Sequence, residues 1–149
     1  MAYTALQVAN TLLQRAINTD DSGELMTNMK LQKMLYYEQG FHLAYFGTPL
    51  FDEDIEAWQY GPVVPSVYRH FKRFGRNGLE PDGDGVATFA NSRERRLFDI
   101  VFDTYNKYSA VGLMDMTHNE KPWRMAGEPM QGNIISQESM QKFFKTRLS

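Results

Sequence analysis

Apolar residues recur at helical spacing over most of the chain. Between residues 5 and 17, Ala5, Leu6, Ala9, Leu13, Ala16 and Ile17 fall near the helical period, and Thr4 is placed to cap the start. A polar break follows, Asn18-Thr19-Asp20-Asp21-Ser22-Gly23. Thr27 and Gly47 then bracket a second helix as its N-cap and its C-terminal stop. Leu31, Met34, Leu35, Phe41 and Tyr45 share one face of it, yet Tyr36, Leu43 and Phe46 lie well away from that face and are also bulky. A helix that is apolar nearly all round belongs at the centre of a core.

Pro49 blocks continuation of that helix, and Phe51-Asp52-Glu53-Asp54 follows as an acidic loop. Ile55, Ala57 and Gln59 alternate with Glu56, Trp58 and Tyr60, which predicts a short strand over 55–60, ended by a Gly61-Pro62 turn. A third helix is expected over about 63–74, with Val64, Val67, Tyr68, Phe71 and Phe74 as its apolar stripe and Gly75 after it. Residues 77–84 read as a Gly- and Asp-rich surface loop, and Val86 to Phe89 as a second short strand. Asn91 with Glu94 three residues on resembles a capping box for a fourth helix over about 92–108, carrying a stripe of Leu97, Ile100, Val101 and Tyr105. Ser109 caps a short fifth helix through Met116. Pro122 at an N1-like position opens another turn of helix through Ala126, and Ser136 opens a last helix with Met140, Phe143 and Phe144.

The fold expected is therefore mainly α: a single compact helical domain over residues 1–149 with a small two-stranded β-ribbon. There is no internal repeat and no linker long enough to divide the chain. With 42% hydrophobic and 13% aromatic residues, the composition excludes an intrinsically disordered or low-complexity chain.

Charge and residue inventory narrow the function. A formal net charge of -2 argues against a uniformly basic nucleic-acid coat protein. The absence of cysteine removes disulfides, thiol nucleophiles, iron–sulfur clusters and thiolate zinc sites together. The longest uncharged stretch, Met1–Gln14, contains Thr, Gln and Asn, and nothing approaches the roughly 20 apolar residues of a membrane helix. The first basic residue is Arg15, too late for a secretory signal, so a cytoplasmic location is expected.

Few residues carry candidate chemistry. His42, His70 and His118 allow a three-histidine metal site in principle, but none sits at a short ligand spacing, and three unrelated structural histidines fit as well. Glu38 and His42 lie four apart on the second helix and can form a catalytic dyad or a self-satisfied polar pair. Asp52, Glu53, Asp54 and Glu56 lack the Gly and the distal Glu of a calcium loop. No glycine-rich phosphate cradle and no GxSxG elbow occurs. The sharpest electrostatic feature is Arg69, Lys72, Arg73 and Arg76 on the polar side of the third helix, with Arg93, Arg95 and Arg96 as possible additions. That face suits an acidic protein partner or phosphates, or is simply a solvated helix face. Trp58, Tyr60 and Trp123 suit interface anchors and core residues equally. Without a catalytic set or cofactor motif, the residues describe a binding module rather than an enzyme, with no cofactor expected.

Three blocks then resemble a known family. They are KLQKMLYYEQG from Lys30, PLFDEDIEAWQYGPVVPSVY from Pro49, and LMDMTHNEKPW from Leu113. In order and spacing, over roughly residues 5–126, they are similar to the Panacea domain, the SocA-like antitoxin domain also described in GepA-like phage-associated proteins. Lys30, Leu31, Gln32, Lys33, Tyr36, Trp58, Tyr60, Gly61, Pro62, His118, Pro122 and Trp123 stand at motif positions, and the resemblance implies that they form the shared scaffold. Glu38 departs from the motif, which carries a small residue there. The residues after about 130 add little to the match. The resemblance implies a non-enzymatic antitoxin that binds and neutralises a cognate protein toxin, with a ClpXP-type protease as a further partner in the adapter mechanism of one member. Arg69, Lys72, Arg73 and Arg76, with the loop over 75–90, are then the residues expected to choose the partner. The rival reading of the same basic face is a DNA-binding regulator of a prophage or mobile element.

Overall fold

One buried helix organises the molecule. The computed structural model describes residues 2–19, 26–75, 77–83, 85–126 and 132–148. In it, α2 (Asn28–Phe46) starts where the Thr27 hydroxyl accepts from the Lys30 amide and stops at Gly47, whose φ of 76° closes the helix in the left-handed region. Every residue from 30 to 44 is buried, as the all-round apolar pattern requires.

The other helices surround it. α1 (Ala5–Ile17) begins with a reciprocal capping box between Thr4 and Gln7. α3 (Pro65–Phe71) continues as a 3₁₀ turn, Lys72–Phe74. α4 (Ser92–Tyr105), α5 (Ala110–His118), α6 (Lys121–Met125) and α7 (Gln137–Lys145) follow. Asn91, Ser109 and Ser136 each cap a helix through the side chain, all at positions that the sequence marks. The architecture is mainly α, as expected, and no helix among the described residues is long and apolar enough to cross a membrane.

The ribbon is a three-stranded antiparallel sheet in the order β2-β1-β3, made of β1 (Ile55–Trp58), β2 (Gly61–Val63) and β3 (Asn133–Ile135). Two local expectations change with it. Gly61 and Pro62 are not the turn: Gln59 and Tyr60 turn, and Trp58 pairs with Gly61. Pro62 is tolerated because β2 is an edge strand, where a missing N–H is harmless. Residues 86–89 are not the second strand. They lie beside α1, where the Ala87 amide donates to the Thr11 hydroxyl, and β3 takes the second position beside β1.

Burial corrects three further residues. Tyr45 is 49% exposed and Ile17 lies on the surface. Ile100, expected in the stripe of α4, is 51% exposed, because the buried set is Phe98, Val101 and Phe102 with Tyr105 half-buried. Those four positions follow the i, i+3, i+4, i+7 rule more closely than any set containing Ile100. The C-terminal α7, peripheral to the family resemblance, is central to the core. Its Phe144 packs on Tyr36 and Phe41 with ring centroids 5.4 and 4.8 Å away.

Candidate functional site

Polar side chains of α2 lock the motif blocks onto one another. Gln39 donates to the Phe51 carbonyl at 2.7 Å and accepts from the Leu50 amide at 2.7 Å, fixing the PLF segment. Gln32 accepts from the Val64 amide at 2.9 Å and donates to Asn28 Oδ1 at 2.8 Å, and Asn28 donates to the Tyr68 carbonyl. Satisfying these backbone groups from a central helix orients β2 and the start of α3 without a regular ladder. Lys30 is buried with its Nζ donating to the Asn106 carbonyl at 2.7 Å, while Leu31 and Tyr36 lie in the core.

This framework leaves an open groove of about 740 Å³ between α2, the β1–β2 turn and α3. Trp58, Tyr60, Tyr68 and Met29 are among the side chains that form its walls, and Lys33 and Lys72 are its cations. Tyr60 is 56% exposed, which suits an anchor more than a core residue. Trp58 meets Tyr68 edge-on at 5.1 Å and donates from Nε1 to Glu56 at 2.9 Å. Behind it, Trp123 donates from Nε1 to the Trp58 carbonyl at 2.9 Å and stacks on His118 at 4.1 Å. Pro122 is buried and Pro62 and Gly61 lie in the buried strand β2. Trp123 and His118 thus brace the ribbon, while Trp58 and Tyr60 face the groove.

The described residues of the basic face stand in different settings. Lys72 lines the groove, and Arg69 is exposed. Arg73 is committed within the molecule: it pairs with Asp82 and lies 4.7 Å over the Phe74 ring. Asp82 is shared with His70 at 3.0 Å. Arg76 lies outside the described residues. Arg93, Arg95 and Arg96 line a different concavity, with Asp99 and Asp103 among them. The 75–90 loop is also held down. Asn10 donates to the carbonyls of Asp82 and Gly85, both at 3.1 Å, and accepts from the Asp82 amide at 2.9 Å.

Glu38 and His42 do not form the dyad that their spacing allows. His42 turns to Glu94 on α4, with Nε2 2.8 Å from Oε2, and Nδ1 lies 2.6 Å from the Thr48 carbonyl. Tyr3 donates to the other Glu94 oxygen. Burial alone would raise the Glu94 carboxyl, but the hydrogen bonds from Tyr3 and His42 outweigh it and hold the group below its usual range. Glu38 is fully enclosed, its Oε2 has no hydrogen-bond partner among the described residues, and burial pushes its carboxyl well above the ordinary value. The three histidines lie in three separate settings, and among the described residues no three His, Asp or Glu side chains gather as metal ligands. Of the acidic loop, Glu53 accepts from the Ala5 amide at 3.0 Å at the start of α1.

Some structural residues escaped sequence reasoning. Glu120 receives the Tyr36 and Tyr37 hydroxyls at 2.9 Å each, across 84 and 83 residues. Glu94 carried a local signal, its place three residues after Asn91, but that signal pointed to a capping role. Asn91 does accept from the Glu94 amide, yet the Glu94 carboxylate goes to Tyr3 and His42.

The antitoxin SocA of Caulobacter vibrioides is 44% identical over 71 residues, a stretch covering 48% of this chain. That stretch spans 36% of the relative's own length. No solved structure matches the chain. The model of the antitoxin SocA-like, Panacea domain family matches residues 31–124, which run from the first turn of α2 to α6 and include Lys33, Trp58, Tyr60 and Tyr68 of the groove, and the chain belongs to that family.

Proposed function

We propose that this protein is an antitoxin that neutralises a partner toxin by binding it directly, occupying a working surface of the toxin rather than transforming it. The carrying observation is the open groove of Trp58, Tyr60, Tyr68, Lys33 and Lys72, built on the motif residues of the family. Aromatic side chains held rigid in a concavity supply most of the binding energy in protein interfaces. Family membership and the likeness to the antitoxin SocA support the same reading. Among its described residues the basic face contributes Arg69 and Lys72, while Arg73 pairs with Asp82. A net charge of -2 suits a nucleic-acid backbone poorly, because such binding rests on many neutralised phosphates. A toxin bound in the cytoplasm is also a candidate for delivery to a ClpXP-type protease. In that variant the toxin disappears faster with the antitoxin present than without it.

The test is co-expression with the product of the adjacent gene, scored by growth and by co-purification. Rescue of growth with co-elution supports direct neutralisation, and weaker co-elution of Arg69→Glu or Lys72→Glu assigns the contact to this face. A toxic neighbour that is neither rescued nor bound overturns the reading.

A further inference from the structure

Among the described residues, the groove holds two cations and no anion. Its lining there includes Lys33 and Lys72 but neither Asp nor Glu. Lys33 is only 2% exposed, and among the described residues its hydrogen bond goes to the Met29 carbonyl of its own helix at 3.1 Å. An ammonium carries three donors, and a buried cation without an anion is poorly compensated. The local backbone keeps it there. Gly61, at φ 119°, passes over the lysine stem, and a Cβ at that position would come within 3.2 Å of Lys33 Cε and of Thr117 Oγ1. A glycine strand and a lysine stem are thus packed so that an ammonium ends at the groove.

We propose that Lys33 anchors a carboxylate carried by an apolar or aromatic segment of the partner toxin, seated in the groove between Tyr60 and Tyr68. This deepens the antitoxin reading and rests on it. Charge complementarity selects an acidic occupant. Among the described residues the lining contains no arginine, whose planar fork is the usual partner of a doubly charged phosphate, and the buried Lys33 ammonium beside the aromatic walls matches one carboxylate. Among the described residues, the other ionisable groups of the groove are Lys72, Tyr60 and Tyr68. Burial holds the Lys33 ammonium down to about 8, and an incoming carboxylate favours its charged form. Complex formation above that value therefore takes up a proton, and affinity falls as pH rises.

The experiment uses the toxin identified by co-expression. Calorimetric titration compares the wild type, Lys33→Met and Lys72→Glu from neutral pH upward. Lys33→Met is expected to stay folded and to bind about 10- to 100-fold more weakly at neutral pH. The wild type loses affinity and shows buffer-dependent heats of proton uptake in alkali, while Lys33→Met shows neither. A carbodiimide then joins Lys33 to an Asp or Glu of the toxin in a zero-length cross-link. Wild-type affinity in a folded Lys33→Met overturns the proposal and leaves the antitoxin reading intact. If Lys33→Met fails to fold, the wild-type pH profile and Lys72→Glu decide: a flat profile with unchanged binding by Lys72→Glu overturns it. A wild type that forms no complex overturns both.

Discussion

The ring of Phe144 lies directly on Gly40, so that a Cβ on Gly40 would overlap the ring carbons. The contact joins the end of the first motif block to the C-terminal helix. Phe144 has no room to retreat, because Tyr36, Tyr37 and Phe41 surround it. Gly40→Ala should therefore destabilise the protein by roughly 1–3 kcal/mol, despite the better helix propensity of alanine. Urea unfolding measures it. A neutral or stabilising result would mean that α7 is not seated on α2 as described.

Glu38 predicts a stabilising substitution. Its carboxyl is raised by burial, reinforced by Asp99 and opposed by Arg15. Between the unfolded value and the raised folded value the native state holds the extra proton, so stability falls as pH rises through that window. Glu38→Gln removes the titrating group and should gain about 1–3 kcal/mol at neutral pH. The gain should vanish in acid, where both states of the wild type are protonated. Thermal unfolding across the pH range reads both features.

The Tyr3–Glu94–His42 cluster has the opposite sign. Glu94 is held below its ordinary value, so its contribution is present above the unfolded value and is lost as pH falls through the folded one. Both His42 ring nitrogens face oxygen atoms, those of Glu94 and of the Thr48 carbonyl. Replacing Glu94 by Gln should cost about 1–3 kcal/mol at neutral pH and flatten the acid limb of the stability profile. His42→Gln and Glu94→Gln together should cost less than the sum of the single changes. An additive double mutant would show that the two side chains do not interact.

Asn10 holds the segment around Asp82 through three hydrogen bonds. Asn10→Ala should loosen that segment at a cost of roughly 1–3 kcal/mol, and limited proteolysis should cut near Gly83 faster than in the wild type. Identical cleavage kinetics would place the anchoring of this loop elsewhere, on Leu79 and Ala87, both of which are buried.

The parts legible from residue order are those decided within a few positions. Thr4, Thr27, Asn91, Ser109 and Ser136 cap helices because each side chain meets an amide two or three residues ahead. Gly47 ends α2 because a left-handed residue must follow, and the burial of α2 follows from apolar residues all around it. The motif blocks were legible as a family resemblance, though Lys33, Trp58 and Tyr60 read there as scaffold rather than as the lining of a groove.

Pairings across tens of residues were decided only when the elements packed. His42 had Glu38 one turn away, yet its partner is Glu94, 52 residues on, because the start of α4 brings a carboxylate to the ring while Glu38 points into an enclosed space. β1 took β3 as its second neighbour, since extended segments pair wherever the core leaves an edge open. Arg73 pairs with Asp82 because the loop anchored on Asn10 placed that carboxylate beside it. Lys33 reads in the sequence as a motif residue of the shared scaffold. The packing of Gly61 and the aromatic walls around its stem made it a buried cation at the floor of a groove, because desolvation depends on neighbours that arrive from elsewhere in the chain.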